Sequence, residues 1–339
     1  MKLTPSLFLG IAVIAILVVA PLIWSGFFVN FVLTRMLIFG IAAATIVFLT
    51  GYAAMTSLAQ LTLFGIAAMM VGNFSGDSGA DGLSLGWNPW LSAIIALVIT
   101  MIVAAIMGAV AARTEGIYYL MLTFIFSVIV FNFFGQVITF SGFGGITGID
   151  PPALLDNETT LYYVAAATSV AAFVGLRWLG STPFGLTLQG IRDEPVRMAA
   201  LGFNVPLHRT LAFVASGFVA GLGGILFVWW NGQVDPNTMG IGATIDLLII
   251  AVIGGIARLE GAWLGSLIFV LANVYLRDLP FIDSIGLGED RFNTVVGLLV
   301  LFIVVVSPDG IVGIFDRFKR GPKATTSSSP PIGEEPSVA

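Results

Sequence analysis

One charged island, GIRDEPVRMAALGFN at residues 190–204, interrupts a chain that is otherwise almost continuously apolar. Proline is disfavoured inside a helix and its predecessor avoids the α region, so we expect a helix to begin near Pro195. Asp193 and Glu194 would lie at the positive end of that helix, where carboxylates are favoured. Gly202 offers a left-handed stop about two turns later. The segment therefore predicts a short helix with exposed charges.

The composition excludes a water-soluble globular fold. The chain has 339 residues, of which 58% are hydrophobic and only 10% are charged, whereas a soluble domain carries about 25% charged residues. One aqueous core cannot hide so much apolar surface, so the bilayer must be the solvent. We expect an all-α polytopic membrane protein with about ten transmembrane helices, some short or broken, and a short cytoplasmic helix in the island.

Ten apolar stretches approach the roughly 20 residues that a bilayer core requires. They are about Leu7–Phe27, Phe31–Leu49, Tyr52–Gly72, Trp90–Ala112, Ile117–Ile138, Leu161–Leu179, Leu211–Trp230, Ala243–Ile256, Ala262–Leu276 and Phe292–Val306. The third stretch is unusually polar and follows a very tight join at Thr50-Gly51. A broken or re-entrant third span therefore stays open beside a continuous one.

The Lys and Arg residues predict the orientation. If the N-terminus is cytoplasmic, all but Arg35, Arg277 and Arg291 of the 14 Lys and Arg residues fall on the inner side, as the positive-inside rule expects. We therefore expect a multi-pass membrane protein with both termini and the island in the cytoplasm. Residues 1–320 would form the transmembrane domain, with a cytoplasmic loop at 181–209, and the Ser- and Pro-rich residues 321–339 a disordered tail.

Several classes of chemistry are disfavoured. The chain has no cysteine and one histidine, His208, which argues against thiolate and paired-histidine metal sites and against most hydrolytic machinery. The net charge of −5 does not suggest a nucleic-acid partner. A phosphate-binding loop ending in Gly-Lys-Ser/Thr is absent, so this chain should bind no ATP as a cofactor of its own. It is not expected to be an enzyme.

Polar residues within the spans are the best pointers to a solute pathway, because a polar side chain is unfavourable in hydrocarbon unless it faces protein or water. The candidates are Thr56, Ser57, Gln60, Asp246, Gly254 and Gly255. Helical spacing would place Thr56 and Ser57 on the same face as Gln60. For these three residues, hydrogen bonding between helices is an equal alternative to a role in the pathway. For Asp246 the alternative is a position at the membrane interface. For the two glycines the alternative is close packing between helices.

An energy source must come from elsewhere, since the span interiors are nearly free of the charged residues that ion-coupled carriers use. A partner protein would need a surface to press on, and the island is the only sizeable ordered-looking cytoplasmic loop. The residues that we expect to make this contact are Arg192, Asp193, Glu194, Pro195, Arg197, Ala199, Ala200 and Gly202. The alternative is a solvated loop between two spans.

Four blocks of sequence resemble the permease subunits of branched-chain amino acid ABC importers, of the LivM-like kind. They are Gly51-Tyr52 through Ser57-Leu58 to Phe64-Gly65-Ile66, Arg113–Thr123, Ile191–Asn204 continuing to Gly224, and Gly254-Gly255 through Gly265 to Ser307–Ile311. Ala54, Met55-Thr56, Ala59, Ala67, Thr244 and Asp246 stand where the family often has other residues. These departures leave the solute open, and urea permeases share the architecture.

The resemblance implies a heteromeric importer in the lipid bilayer. It would contain a second, homologous permease subunit, two ATP-binding subunits and an extracytoplasmic solute-binding protein. Closure of the ATPases would move the helix in the island and switch the spans between two states. The alternatives are the same machine for urea or another small amide, and a stand-alone channel or facilitator.

Overall fold

Helices make up almost all of the chain that the computed structural model describes, namely residues 15–75, 82–142, 144–256 and 258–275 together with Gly297. A first helix, α1, covers residues 15–23. The helices that follow are α2 (Phe28–Ala53, π-helical over Phe28–Thr34), α3 (Gln60–Ser75), α4 (Pro89–Ala111), α5 (Gly116–Gln136), α6 (Ile138–Ser141), α7 (Glu158–Ser181), α8 (Pro183–Asp193), α9 (Pro195–Ala200), α10 (Val205–Asn231), α11 (Ile241–Gly254) and α12 (Leu259–Tyr275).

Asparagine residues fix the starts of three long helices. The side chains of Asn88, Asn157 and Asn204 accept backbone N–H groups two or three residues later, at 3.0, 3.4 and 3.1 Å. They begin α4, α7 and α10, and a proline stands in the first turn of α4 and of α10. Such caps satisfy N–H groups that have no partner within the helix.

Helix α4 shows why this fold requires lipid. Its exposed face is aliphatic, with Ile94, Val98, Ile102 and Ile106 each 50% exposed or more. Its buried face consists mainly of small and weakly polar residues, among them Ser92, Ala93, Ala96, Thr100, Ala104 and Gly108. Small residues at the contact and apolar residues outside are the arrangement of helices that pack within a bilayer.

Close backbone approach holds α3 and α10 together at the centre. A Cβ atom added to Gly224 of α10 would lie 2.0 Å from the carbonyl oxygen of Phe64 in α3. No side chain fits in that space, so glycine is required there. Helix α2 packs on the same pair and on α12, where Trp263 covers Gly40.

Two loops meet in a two-residue antiparallel pair, β1 (Ile146–Thr147) with β2 (Gln233–Val234). Buried Asn73, near the end of α3, joins the same region: its amide donates to the carbonyls of Met69 and Phe140 at 2.8 and 2.7 Å, and its oxygen accepts from Leu83 N–H at 3.0 Å. These contacts close one end of the bundle. The α8–α9 segment lies at the other end, because α7 and α10 each run the length of the bundle between them.

The α-helical, polytopic fold predicted from the sequence is confirmed. In the described residues, five helices are long and apolar enough to cross a membrane, or up to six if α11 and α12, which are bent by 117° at their junction, form one span. Helix α3 is a shorter apolar helix. The predicted span Phe292–Val306, part of Leu7–Phe27 and the tail at 321–339 lie outside the described residues.

Of the two alternatives left open for the third span, Tyr52–Gly72, the structure has the broken one. Helix α2 runs on to Ala53, Ala54 adopts a left-handed conformation with φ 52°, and α3 begins only at Gln60. Thr56 and Ser57 therefore do not lie on a helical face with Gln60. The turn residues predicted at Thr50-Gly51 are instead the last turn of α2, and the break comes a few residues later.

Replacing Gly224 with alanine should destabilise the protein, because the new methyl group would press on the backbone of α3. Overpacking of this kind costs typically about 1–3 kcal/mol. A matched control is Gly175→Ala in α7, where an added Cβ meets nothing within 4 Å. We expect the melting temperature of the purified protein to fall for Gly224→Ala and not for Gly175→Ala. Equal melting temperatures would contradict the tight α3–α10 contact.

Candidate functional site

The island folds as two short helices joined by a sharp bend. Helix α8 begins at Pro183 and ends at Asp193. The hydroxyl of Thr182, just before it, accepts a hydrogen bond from Gly185 N–H at 3.3 Å. Glu194 then leaves the helical region with φ −146° and ψ 75°, and Pro195 begins α9. The proline thus separates the two helices, as its missing N–H and fixed φ predict.

Gly202 ends α9 in the way that its sequence position predicts. Its φ of 92° is left-handed. Gly202 N–H donates to Ala199 O at 3.0 Å and Phe203 N–H donates to Met198 O at 3.2 Å. This pair of bonds is a Schellman motif, which satisfies carbonyl groups at the helix end.

The outer surface of α9 is open and partly apolar. Val196 is 80% exposed and Leu201 is 66% exposed, and none of the residues of α9 is buried. Ala199 and Ala200 are exposed beside them. The inner side is tied down, because Met198 packs against Gly190 of α8. This exposed apolar surface on a short, anchored helix is the candidate interaction site.

Arg192 connects this segment to α2. Its Nη1 donates to the carbonyl oxygen of Gly51 at 2.6 Å, and its Nε donates to Asp193 at 2.8 Å. Gly51 lies in the last turn of α2, where carbonyl groups lack helical partners and carry partial negative charge. The guanidinium therefore links the end of α8 to the end of α2, two residues before that helix stops.

His208, the histidine considered above, packs between aromatic rings. Its ring stacks on Phe184 of α8 at 5.8 Å and meets Phe203 edge-on at 6.0 Å, and its Nδ1 lies 2.8 Å from Asn204 O. These contacts seat α8 and the α9–α10 turn on the start of α10. The position is structural, since no acid, base or nucleophile accompanies the ring in these contacts.

The break between α2 and α3, residues 54–59, is exposed only at Ala54, and two of its side chains, Thr56 and Ser57, are polar. Ser57 and Gln60 are both fully buried. Ala59 N–H donates to the Ser57 hydroxyl at 3.2 Å, and Leu58 N–H donates to the Thr123 hydroxyl of α5 at 3.3 Å. Non-helical backbone at this depth needs such partners, because lipid offers none.

Helix α5 turns a polar face toward this break. Its buried residues are Tyr119, Thr123, Ser127 and Phe134. The Thr62 hydroxyl of α3 donates to the Ser127 hydroxyl at 2.7 Å. We call Ser57, Gln60, Thr62, Tyr119, Thr123 and Ser127 the polar seam. It joins α3 to α5 in a bundle whose other contacts are mainly apolar.

The predicted pathway residues do not form one cluster. Ser57 and Gln60 belong to the polar seam, and Thr56 is half-buried beside them. Asp246 is exposed on α11 and lies in the field of Arg35. A Cβ added to Gly254 would lie 1.9 Å from the carbonyl oxygen of Gly261, and Gly255 has a left-handed φ of 109°. The described contacts of these last three are thus with α2 or α12, away from the seam.

Sequence reasoning missed the contribution of α5 and α10. The spacing of four residues between Tyr119, Thr123 and Ser127 was a usable signal, since it repeats on one helical face. Arg209, which the charge pattern placed in a cytoplasmic loop, is buried near the start of α10, with its side chain 9% exposed. Its Nη1 donates to Glu115 at 2.8 Å.

A cavity of about 270 Å³ lies at the opposite end of α5. Its lining includes Phe131 and Gly135 of α5, the glycines 142, 144 and 145, and Asp235 and Asn237 of the α10–α11 loop. The Asp235 carboxylate accepts from Thr238 N–H at 3.1 Å. This volume is just below the roughly 300–1,000 Å³ of pockets for drug-sized ligands.

We expect Arg192→Ala to loosen the α8–α9 segment, because it removes the bond to Gly51 O. Since the chain has no cysteine, Val196→Cys gives a unique site for a spin label. The label should become more mobile in electron paramagnetic resonance spectra with Arg192→Ala. Arg197→Ala, which removes the same charge from the same segment, should change the spectrum little. Equal spectra for all three proteins would contradict the anchoring role of Arg192.

A family model described as "Branched-chain amino acid transport system / permease component" matches residues 28–306. The chain is similar to LivM, the high-affinity branched-chain amino acid transport system permease protein of Salmonella typhimurium, with 27% identity over 174 residues, 51% of this chain and 38% of LivM. It is similar to LivH of the same type of system in Escherichia coli, with 30% identity over 121 residues, 35% of this chain and 37% of LivH.

A third relative has a different cargo in its name. LsrC, the autoinducer 2 import system permease protein of Yersinia enterocolitica, is 34% identical over 107 residues, 32% of this chain and 28% of LsrC. The chain thus spans less than two fifths of the length of each of these relatives, which are transport permeases and not enzymes. No solved structure matches the chain. The family match covers most of the sequence, and the chain belongs to the branched-chain amino acid transport permease family.

Proposed function

We propose that this chain is the permease subunit of an ABC importer that moves branched-chain amino acids across the bacterial inner membrane. The observation that carries the proposal is the α8–α9 segment: it presents an open, partly apolar surface, and Arg192 ties it to the end of α2. The names of the relatives support the solute class. Similarity to an autoinducer 2 permease keeps another small polar solute as the second candidate.

In this proposal the partner ATPases supply the energy and bind the ATP. Residues 193–202 and the adjoining Arg192 contact them. Arg192, Asp193, Glu194 and Arg197 make the polar contacts, and Ala199 and Ala200 are small enough to fit into a groove of the ATPase. Pro195 and Gly202 fix the bounds of the helix. A second, homologous permease completes the membrane unit, and a solute-binding protein delivers the solute to the outer face. Residues 1–320 form the permease domain and 321–339 a tail.

Arg192 couples movement of α8 to the residues of the proposed solute pathway. A shift of α8 displaces the last turn of α2, and the break at residues 54–59 follows directly. Ser57 and Gln60 lie at that break, so the proposed pathway begins one short step from the proposed contact surface. A small shift becomes a switch of state when the packed elements have two discrete arrangements. Thr56 and Asp246 remain proposed members of the pathway, and Gly254 and Gly255 provide its helix packing.

A bulky residue at Ala199 should block transport without unfolding the protein, because this side chain is exposed. We expect Ala199→Trp to lower leucine uptake by about tenfold or more, the effect of about 1.4 kcal/mol on a rate. Leu154→Trp is the control, since Leu154 is 75% exposed outside the α8–α9 segment. Membrane levels are measured by immunoblot, and ATPase attachment by co-purification. Normal uptake with Ala199→Trp would count against the contact role.

Cysteine labelling tests the proposed orientation. In the cysteine-free chain, Val196→Cys and Leu154→Cys replace residues that are 80% and 75% exposed at opposite ends of α7. A membrane-impermeant maleimide applied to intact spheroplasts should label Leu154→Cys at once and Val196→Cys only after permeabilisation. The reverse pattern would place the α8–α9 segment outside the cell and remove the basis for coupling to ATP.

A further inference from the structure

Five side chains of the described residues have buried polar atoms without a hydrogen-bond partner, and two of these, Thr50 in α2 and Trp229 in α10, have one such atom each. The other three are Gln60 with both amide atoms, Tyr119 with its hydroxyl and Arg209 with Nε. The three residues are 0%, 2% and 8% exposed. Buried polar atoms in folded proteins nearly always have a partner, so unpaired ones require an explanation.

The three groups belong to one neighbourhood. Gln60 begins α3, Tyr119 is in the first turn of α5, and Arg209 is near the start of α10. The Tyr119 hydroxyl faces the Ser57 side chain, near enough to interact with it, and lies in the field of the Arg209 charge. Gln60 follows Ser57 by three residues, and α3 packs against both α5 and α10. The three residues therefore lie on helices that meet near the break between α2 and α3.

The chemistry of this group favours an anion. Nε of Arg209, the Tyr119 hydroxyl and the amide nitrogen of Gln60 are donors, and the amide oxygen of Gln60 is the remaining acceptor. Glu115 engages only Nη1 of Arg209 and is itself largely exposed, with 60% of its side chain accessible. Charge-assisted bonds from a guanidinium to a carboxylate are the stronger class of hydrogen bond.

We propose that Gln60, Tyr119 and Arg209 form an inner binding station for the solute, which recognises its carboxylate. The donors of Arg209, Tyr119 and Gln60 receive the carboxylate, and the amide oxygen of Gln60 accepts from the ammonium group of an amino acid. This inference rests on the proposed function and narrows its solute class. It favours an amino acid over urea or another solute that lacks a carboxylate.

The test measures solute binding to the purified complex of both permease subunits and the ATPases, without the solute-binding protein. That protein would otherwise set the selectivity. The probes are leucine and leucinamide, which differ in the carboxylate, and the readout is ligand-dependent thermal stabilisation, from which Kd follows. We expect leucine to bind at least about tenfold more tightly than leucinamide, since a site built for hydrogen bonds strongly rejects an analogue that lacks them.

Tyr119→Phe removes only the hydroxyl, and Arg209→Lys keeps a charge for Glu115 but loses Nε. Each should raise the Kd for leucine about tenfold while that for leucinamide stays the same. Tyr162→Phe is the matched control: Tyr162 is also fully buried, but its hydroxyl bonds to Leu17 O at 2.9 Å on the α7 side. It should leave the Kd for leucine unchanged. Gln60→Met provides a third variant should either of the first two fail to assemble.

Leucine uptake by wild-type cells is measured in parallel and separates the two proposals. If wild-type cells take up leucine but the variants bind leucine with an unchanged Kd, the inner station is overturned and the transport function stands. Equal binding of leucine and leucinamide to the wild-type complex would also overturn the station. Import of a solute that lacks a carboxylate, with no amino acid transported, would overturn both the inner station and the proposed function.

Discussion

A helix that stops within a membrane bundle leaves backbone groups that lipid cannot satisfy, and this constraint shapes the contacts around the end of α2. Between Ala53 and Gln60 the chain leaves the helical conformation, and apart from the exposed Ala54 this stretch is buried or half-buried in the bundle. Thr123 and Ser57 provide hydrogen bonds to two of the freed N–H groups. Helices α3, α5 and α10 must therefore converge on this point. The polar seam is a consequence of the break.

The same break explains why the cytoplasmic segment is attached where it is. A helix that ends early presents its last carbonyl groups to neighbouring elements, and Arg192 uses one of them, Gly51 O. Had α2 continued as a straight helix into the next span, that carbonyl would have been occupied by a later N–H group. The carbonyl groups at the end of α2 thus lack helical partners, and one of them is the attachment site for α8.

Much of the fold follows from the sequence alone. The apolar runs gave the starts and ends of α4, α5, α7 and α10 to within a few residues, except that α7 and α10 begin earlier, at their asparagine caps. Helix α9 also forms between its predicted proline and glycine, because both residues impose local backbone conformations that tertiary packing cannot easily override. These features depend on neighbours in the chain.

The break and the seam depend on residues far apart in the chain, and this is why sequence reasoning misplaced or missed them. Nothing near Ala54 prevents a helix; the residues that satisfy the open backbone come from α5, about 65 positions later. Arg209 gave the opposite error. A charge at the edge of an apolar run normally lies in water, but here Glu115 and the packing of α10 on α3 enclose it.

Packing divides the centre of the bundle into a rigid pair and a looser neighbour. At Gly224 the backbones of α3 and α10 are in direct contact, which leaves no room for either helix to rotate against the other. Helix α5 buries only four of its side chains, and three of them are polar. Hydroxyl pairs such as Thr62–Ser127 can exchange partners with water or with a solute, whereas interlocked backbones cannot. In the proposed transport cycle, α5 is therefore the helix that moves, and the α3–α10 pair stays fixed.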